Sequence, residues 1–335
     1  MRLYLTGSGF HHPEPRLTNR DLERVVATSD AWIREKTGIR ERRVLPLHLR
    51  ASDMGVLALR RALASARRPA SDLDHLVCAT SSPDTLVPSV GCHIARKLGI
   101  RPVAFDVNAA CAGFVFGLQV LRGLFAAGDC RRAALVATEN YTRFTDYQDR
   151  ATCVYWGDAA AAAIVEAERP ARPSLEVVDL HTACWPEGVD FVRIPVGGFI
   201  QQDGRKVKEY ATRGFLESAR TLLERTGVRP EELAGFVGHQ ANYRLLEALC
   251  RELGIPADRH WHTVTLFGNQ GAAGAPATLA RAVRRQRLQD GDPILVTVFG
   301  AGFAMGSALL RFRPAARDGA RKAGSQARQD RAPAV

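Results

Sequence analysis

Hydrophobic and polar positions alternate along this chain in short blocks of two kinds. Apolar runs rich in Val, Ile, Leu and Phe predict strands at LDHLVCAT (Leu73–Thr80), PVAFDV (Pro102–Val107), ALVATE (Ala134–Glu139), LAGFVGHQ (Leu233–Gln240), HTVTL (His262–Leu266) and ILVTVF (Ile294–Phe299). Apolar residues three or four apart predict helices at ALRRALASARR (Ala58–Arg68), FLESARTLLERTG (Phe215–Gly227) and Tyr243–Leu253. AGFVFGLQVLRGLFAAG (Ala112–Gly128) is apolar nearly all round, which predicts a buried helix behind a buried strand PVAFDV.

The blocks repeat. LDHLVCAT matches LAGFVGHQ, and ALVATE matches ILVTVF, each about 160 residues apart; the helices and short polar stretches (PASD, RPEE) before them match as well. FDVNAAC, ending at Cys111, matches VTLFGN, ending at Asn269. Constant spacing favours a duplicated unit over the strand–helix alternation common to any α/β protein. The expected organisation is a first half at 1–167, a second at 168–312 and a disordered basic tail at 313–335, with largely parallel sheets covered by helices.

Composition refines this only slightly. Of 335 residues, 46% are hydrophobic and 24% charged, the balance of a globular chain. The net charge is +11, and the tail alone holds six Lys/Arg against two Asp. Only five of the 46 basic residues are Lys, a bias that weakens charge as an argument about partners. Seven cysteines without a CxxC pair read as reduced thiols, not as a disulfide framework or zinc site. The N-terminus lacks the charged and apolar regions of a signal peptide, and the longest apolar stretch, Cys111–Gly128, contains Arg122. A cytoplasmic protein is expected.

Three residues carry candidate chemistry. Cys111 lies between a strand and a buried helix, where the helix dipole and free N–H groups favour thiolate; Gly113 permits close backbone approach. A plain core cysteine would read the same. His239 ends a strand, the place where α/β chemistry tends to sit, with Asn242 three residues on. Asn269 stands in the Gly/Ala-rich turn GNQGAAG, the repeat counterpart of Cys111, and that turn matches neither phosphate-binding fingerprint. Together they supply a nucleophile, a proton or hydrogen-bond partner and a polar anchor. FGAGFAMGSALLRF (Phe299–Phe312) offers backbone N–H groups for an oxyanion hole, or a tight turn between paired strands.

FDVNAACAGF, GHQAN, FGN-x-x-AA, FGAGFAMGSALLRF, TSDAWIREKTGIRERR (Thr28–Arg43) and DRATCVYWGDAAAAA (Asp149–Ala163) resemble the thiolase superfamily, and within it β-ketoacyl-acyl-carrier-protein synthase III, over residues 3–312. The resemblance implies a thiolase fold: α/β, two pseudo-symmetric halves stacked as α-β-α-β-α, in a homodimer. It implies acylation of Cys111 by an acyl-coenzyme A, then decarboxylative condensation with a malonyl thioester on acyl carrier protein, held by His239 and Asn269. The backbone amides of Cys111 and Ala301 would bind the oxyanion. Trp32, Lys36, Arg150 and Asn242 fall at coenzyme A positions, Arg244 and Arg251 on the surface for the acidic carrier, and Val87 in the acyl-channel segment. No cofactor or metal is implied, coenzyme A entering as a substrate thioester, and no nucleic-acid or membrane partner. Departures, such as GDAAAAA for GDGAGA and GAGF for GGGF, touch the acyl pocket and its backing. An acyltransferase of the same family, delivering the acyl group to a hydroxyl or amine without decarboxylation, is the alternative.

Overall fold

The computed structural model describes residues 1–315. Most of the expected tail therefore lies outside the described residues. Strands β1 (Leu3–His11), β2 (His75–Ala79), β3 (Val103–Val107), β4 (Arg132–Asn140), β5 (Asp158–Glu166), β6 (Ser174–Cys184), β7 (Gly235–Gly238), β8 (Pro293–Gly300) and β9 (Ala304–Arg313) form one sheet. Its order is β7-β8-β9-β6-β1-β5-β4-β2-β3.

That order contains one motif twice. β2 and β4 are parallel, while β5 and then β1 continue antiparallel. β7 and β8 are likewise parallel, with β9 and β6 continuing antiparallel. A short ladder, Leu3–Leu5 against Leu175–Val177, joins the two sets. The sheets are thus mixed, not largely parallel. The cause is visible at β8 and β9: three residues, Ala301–Phe303, turn the chain straight back, with Gly302 at φ 70°. So short a connection leaves no room for the crossover that parallel pairing needs.

Two other strand expectations change. PVAFDV forms β3, but β3 is an edge strand with one neighbour, and Val103 is 58% exposed. HTVTL forms no strand. Gln240 Oε1 accepts from the N–H groups of Thr263 and Val264 (2.8 and 3.0 Å), satisfying the orphan donors of a helical turn, Val264–Phe267. The strand that β3 would match in the second half is reduced to a bridge between Phe236 and His260.

Helices sort into layers. Ala51–Ala66 and Val90–Leu98 cover the outer face of the first half, around buried Leu59, Leu76, Ile94 and Ile164. Gly204–Thr226 and Tyr243–Glu252 cover the second, around Phe215, Phe236, Leu246 and Leu295. Between the halves lie α-helices Gly113–Ala127 and Gly271–Val283, whose Val115, Leu118, Ala273 and Leu279 share one core with strands of both. The segment Ala110–Ala127 is long and apolar enough to cross a membrane, and half of it is buried here as this central layer.

Candidate active site

The loops that end the strands of both halves converge on one cavity of about 430 Å³. It is lined by Cys111, His239, Asn269 and Ala301, with Trp32, Lys36, Asn242 and Arg244. The duplication brings Cys111 and Asn269 together, because each begins a helix of the central layer.

Cys111 sits in a 3₁₀ turn, Ala110–Ala112, that leads into helix Gly113–Ala127. Ala110 takes φ 45°, a left-handed conformation costly for a residue with a β-carbon, and Asn108 Oδ1 accepts from its N–H (3.1 Å). A β-carbon on Gly113 would lie 2.9 Å from that of Ala79, so the glycine does admit the close approach expected of it. The pull of the helix terminus toward thiolate is opposed here. Burial, followed by the negative charge of Glu139, pushes the thiol up to about 12, outweighing the helix terminus.

His239 follows β7 directly, and its backbone N–H donates to Thr297 O on β8 (2.9 Å). The ring lies edge-on to Phe299, with centroids 4.7 Å apart. Burial pushes its pKa down to about 3, which holds the imidazole neutral, and Nδ1 has no partner among the described residues. Asn269 is fixed by its backbone, donating to Tyr155 O (2.8 Å) and accepting from Gly157 N (2.9 Å). Its Oδ1 accepts from Gly271 N (3.0 Å), which leaves Nδ2 as the group free to serve a substrate.

Helix Asp30–Thr37 is capped by Ser29, whose Oγ accepts from Trp32 N (3.1 Å). Trp32 and Lys36, four residues apart, therefore share the face toward the cavity. Asn242 caps helix Tyr243–Glu252 through Leu245 N (3.2 Å) and donates to Lys36 O (3.1 Å), tying the two helices together. Arg150 lies 4.1 Å over the Trp32 ring, beyond the cavity lining. Arg244 reaches the lining, whereas Arg251 is exposed further along the helix. Val87 is not brought to this cavity: it is 82% exposed, just before helix Val90–Leu98.

Sequence reasoning missed several neighbours. Tyr141 Oη is 3.8 Å from Cys111 Sγ, and buried Tyr141, Trp156 and Ile200 form an apolar cluster against the cysteine. Glu139, fully buried, lies behind Tyr141; Lys208 joins the cavity lining. Two signals in the chain touch them: a carboxylate, Glu139, closes the apolar run ALVATE, and Trp156 lies inside DRATCVYWGDAAAAA.

Two family models match the chain, 3-oxoacyl-[acyl-carrier-protein (ACP)] synthase III over residues 105–184 and its C-terminal model over residues 223–312. A β-ketoacyl-[acyl-carrier-protein] synthase III of Alkalilimnicola ehrlichii is 38% identical over 320 residues, covering 92% of this chain and 98% of the relative. The crystal structure of 3-oxoacyl-[acyl-carrier-protein] synthase III from Aquifex aeolicus superposes with a TM-score of 0.88 at 32% identity, covering 93% of this chain and all of that one. The priming β-ketosynthase of the R1128 polyketide pathway superposes at 0.85 with 28% identity, over 94% of this chain and 97% of that one.

Proposed function

The chain belongs to the β-ketoacyl-acyl-carrier-protein synthase III family and has its thiolase fold, and on that premise we propose how its own residues divide the reaction. Cys111 attacks the carbonyl of an acyl-coenzyme A and becomes an acyl-enzyme, releasing coenzyme A. Backbone N–H groups of Cys111 and Ala301 receive the oxyanion. His239 and Asn269 then hold the thioester carbonyl of malonyl-acyl carrier protein. As carbon dioxide leaves, they stabilise the enolate, whose carbon attacks the acyl group and frees the cysteine as a β-ketoacyl thioester forms. A neutral His239 suits this role, since it donates a hydrogen bond without needing to be charged.

The carrying observation is the shared cavity of Cys111, His239 and Asn269, with an aromatic face and cations at its mouth. Trp32, with Arg150 stacked on it, suits the adenine, and Lys36 suits phosphate. Asn242 braces Lys36 from behind. Arg244 and Arg251 on one helix suit the acidic carrier protein. A cytoplasmic setting goes with seven free cysteines and these substrates.

A homodimer completes the reading. The edge strand Val103–Val107 carries unpaired backbone groups, and exposed Leu86 and Val87 stand beside it, because Asp106 accepts from Val90 N and Gly91 N (2.7 and 2.9 Å). A second copy would cover this edge, and Val87 could line an acyl pocket only in that copy's cavity.

Intact-mass measurement with a panel of acyl-coenzyme A donors tests the first stage. A gain of one acyl group, absent in Cys111→Ala, is expected; no acylation with any donor overturns the reading. Release of carbon dioxide that depends on malonyl-acyl carrier protein tests the second stage. Its absence, with acyl transfer to an alcohol or amine, would make the enzyme the non-decarboxylating acyltransferase.

A further inference from the structure

The acyl-enzyme reading leaves open where the thiol proton of Cys111 goes. The thiol is pushed up to about 12, so it is protonated at neutral pH and must lose its proton as the sulfur attacks. His239 makes no hydrogen bond to Cys111 among the described residues, and a pKa near 3 makes it a weak base. Tyr141 Oη is the one side-chain hydrogen-bonding atom within reach of the sulfur among those residues, at 3.8 Å.

Behind Tyr141 the hydrogen bonds have a direction. Ser81 Oγ donates to Glu139 Oε1 (3.1 Å). With its single proton committed, that oxygen accepts from Tyr141 Oη at 2.5 Å. The tyrosine hydrogen therefore points away from Cys111, leaving a lone pair toward the thiol. Glu139 is completely buried, and also accepts from Ser81 N (3.2 Å) and Ser82 Oγ (2.5 Å). Burial raises it to about 7, a value suited to accepting a proton near neutral pH. Space for the chain is reserved by Gly271: a β-carbon there would lie 2.4 Å from Tyr141 Cε2 and 2.9 Å from Glu139 Cγ.

We propose that Tyr141 and Ser81 relay the thiol proton of Cys111 to the carboxylate of Glu139 as the sulfur attacks the acyl donor, a step that rests on the acyl-enzyme reading above. The S–H electron pair becomes the new carbon–sulfur bond, and the carbonyl π pair moves to oxygen. The thiol proton passes to Tyr141, the tyrosine proton to Ser81 and the serine proton to Glu139. Collapse of the tetrahedral adduct expels coenzyme A as thiolate, which takes a proton from solvent. Glu139 keeps its proton until condensation, when it returns along the chain to the departing Cys111 sulfur. Tyr141 touches the reacting sulfur; Ser81 and Glu139 act through it.

The test is the rate of acyl-enzyme formation from pH 5.5 to 9, read by quenched intact mass with the donor that best acylates the wild type. The wild-type rate is expected to rise through an apparent pKa near 7. In Glu139→Gln and Tyr141→Phe that limb disappears and the rate at pH 7.5 falls by about 10²-fold. Glutamine keeps the shape of the side chain and one carbonyl oxygen to accept from a serine, while its NH2 faces the other serine as a donor. A purely structural carboxylate would leave the pH profile in place. A carboxylate acting only by its charge gives the opposite sign, because removing it lowers the thiol pKa and speeds attack. Rates in Glu139→Gln equal to or above wild type overturn the relay. Should that variant fail to fold by thermal melt, Tyr141→Phe, which keeps the ring, decides alone. Alkylation of Cys111 by iodoacetamide in the same proteins separates the two readings. Absence of acylation in wild type sinks the acyl-enzyme reading. Equal or faster alkylation in both variants sinks the relay, and slower alkylation supports it.

Discussion

Gly300 meets the backbone of Cys111 so closely that a β-carbon there would stand 2.8 Å from Cys111 N and 2.7 Å from Ala109 O. Neither atom is the end of a flexible side chain. Gly300→Ala must therefore shift the 3₁₀ turn that holds Cys111 or the hairpin that carries Ala301. We expect Gly300→Ala to remain folded by circular dichroism and to lose acylation by at least about tenfold, since small displacements at a reacting atom are costly. Wild-type acylation would show that the turn yields without cost.

His239 and Asn269 are assigned to the second stage, and the stages come apart experimentally. His239→Ala and Asn269→Ala should still take up one acyl group at Cys111. Carbon dioxide release from malonyl-acyl carrier protein should fall by about 10²-fold or more in each, the usual loss on removing a donor to a developing oxyanion. A parallel loss of acylation would place these side chains in the first stage as well.

Arg150 is stacked over Trp32, 4.1 Å from its ring, and Trp32 lines the cavity without a hydrogen bond to Cys111 among the described residues. Trp32→Ala should raise KM for the acyl-coenzyme A about tenfold and leave kcat nearly unchanged, as expected for binding lost equally from ground and transition states. Steady-state kinetics with saturating malonyl-acyl carrier protein reads this directly. A fall in kcat with constant KM would contradict a nucleotide-binding role.

Glu139 also predicts a pH dependence of stability. Its carboxyl is raised to about 7 by burial, so the folded state takes up a proton that the unfolded chain releases near the ordinary carboxylate value. Stability from this group is full at low pH and is lost as pH rises toward 7, at about 1.4 kcal/mol per unit. Glu139→Gln removes the burial cost of the charged form. Its melting temperature should exceed wild type by more at pH 8 than at pH 5; an equal difference at both would refute the buried charge. His239 acts in the other direction. Lowered to about 3 by burial, it favours the folded state above its ordinary range, and that stability is lost as pH falls below 6.5. His239→Gln should therefore show a shallower loss on acidification, read by urea midpoints at pH 7 and pH 5.

The repeated pattern, most strand and helix positions, and the family were legible along the chain, and Cys111, His239 and Asn269 stood out as candidates for the chemistry. Hydrophobic periodicity is a local property, and a fixed spacing between matched blocks survives without any knowledge of the fold. Motifs such as FDVNAACAGF and GHQAN carried the family for the same reason: their residues are adjacent in the chain. Strand direction was not legible there: β8 turns back within three residues where the pattern alone suited a crossover. Only the tertiary structure decided that HTVTL is a helical turn, through a side chain, Gln240, more than twenty residues away. The state of Cys111 was beyond the sequence too. The helix terminus acts on Cys111 locally, but burial and Glu139 act through space and outweigh it. Tyr141 and Ser81 lie on different strand ends from Cys111, and only packing of β2, β4 and the central helix sets them in line with the sulfur.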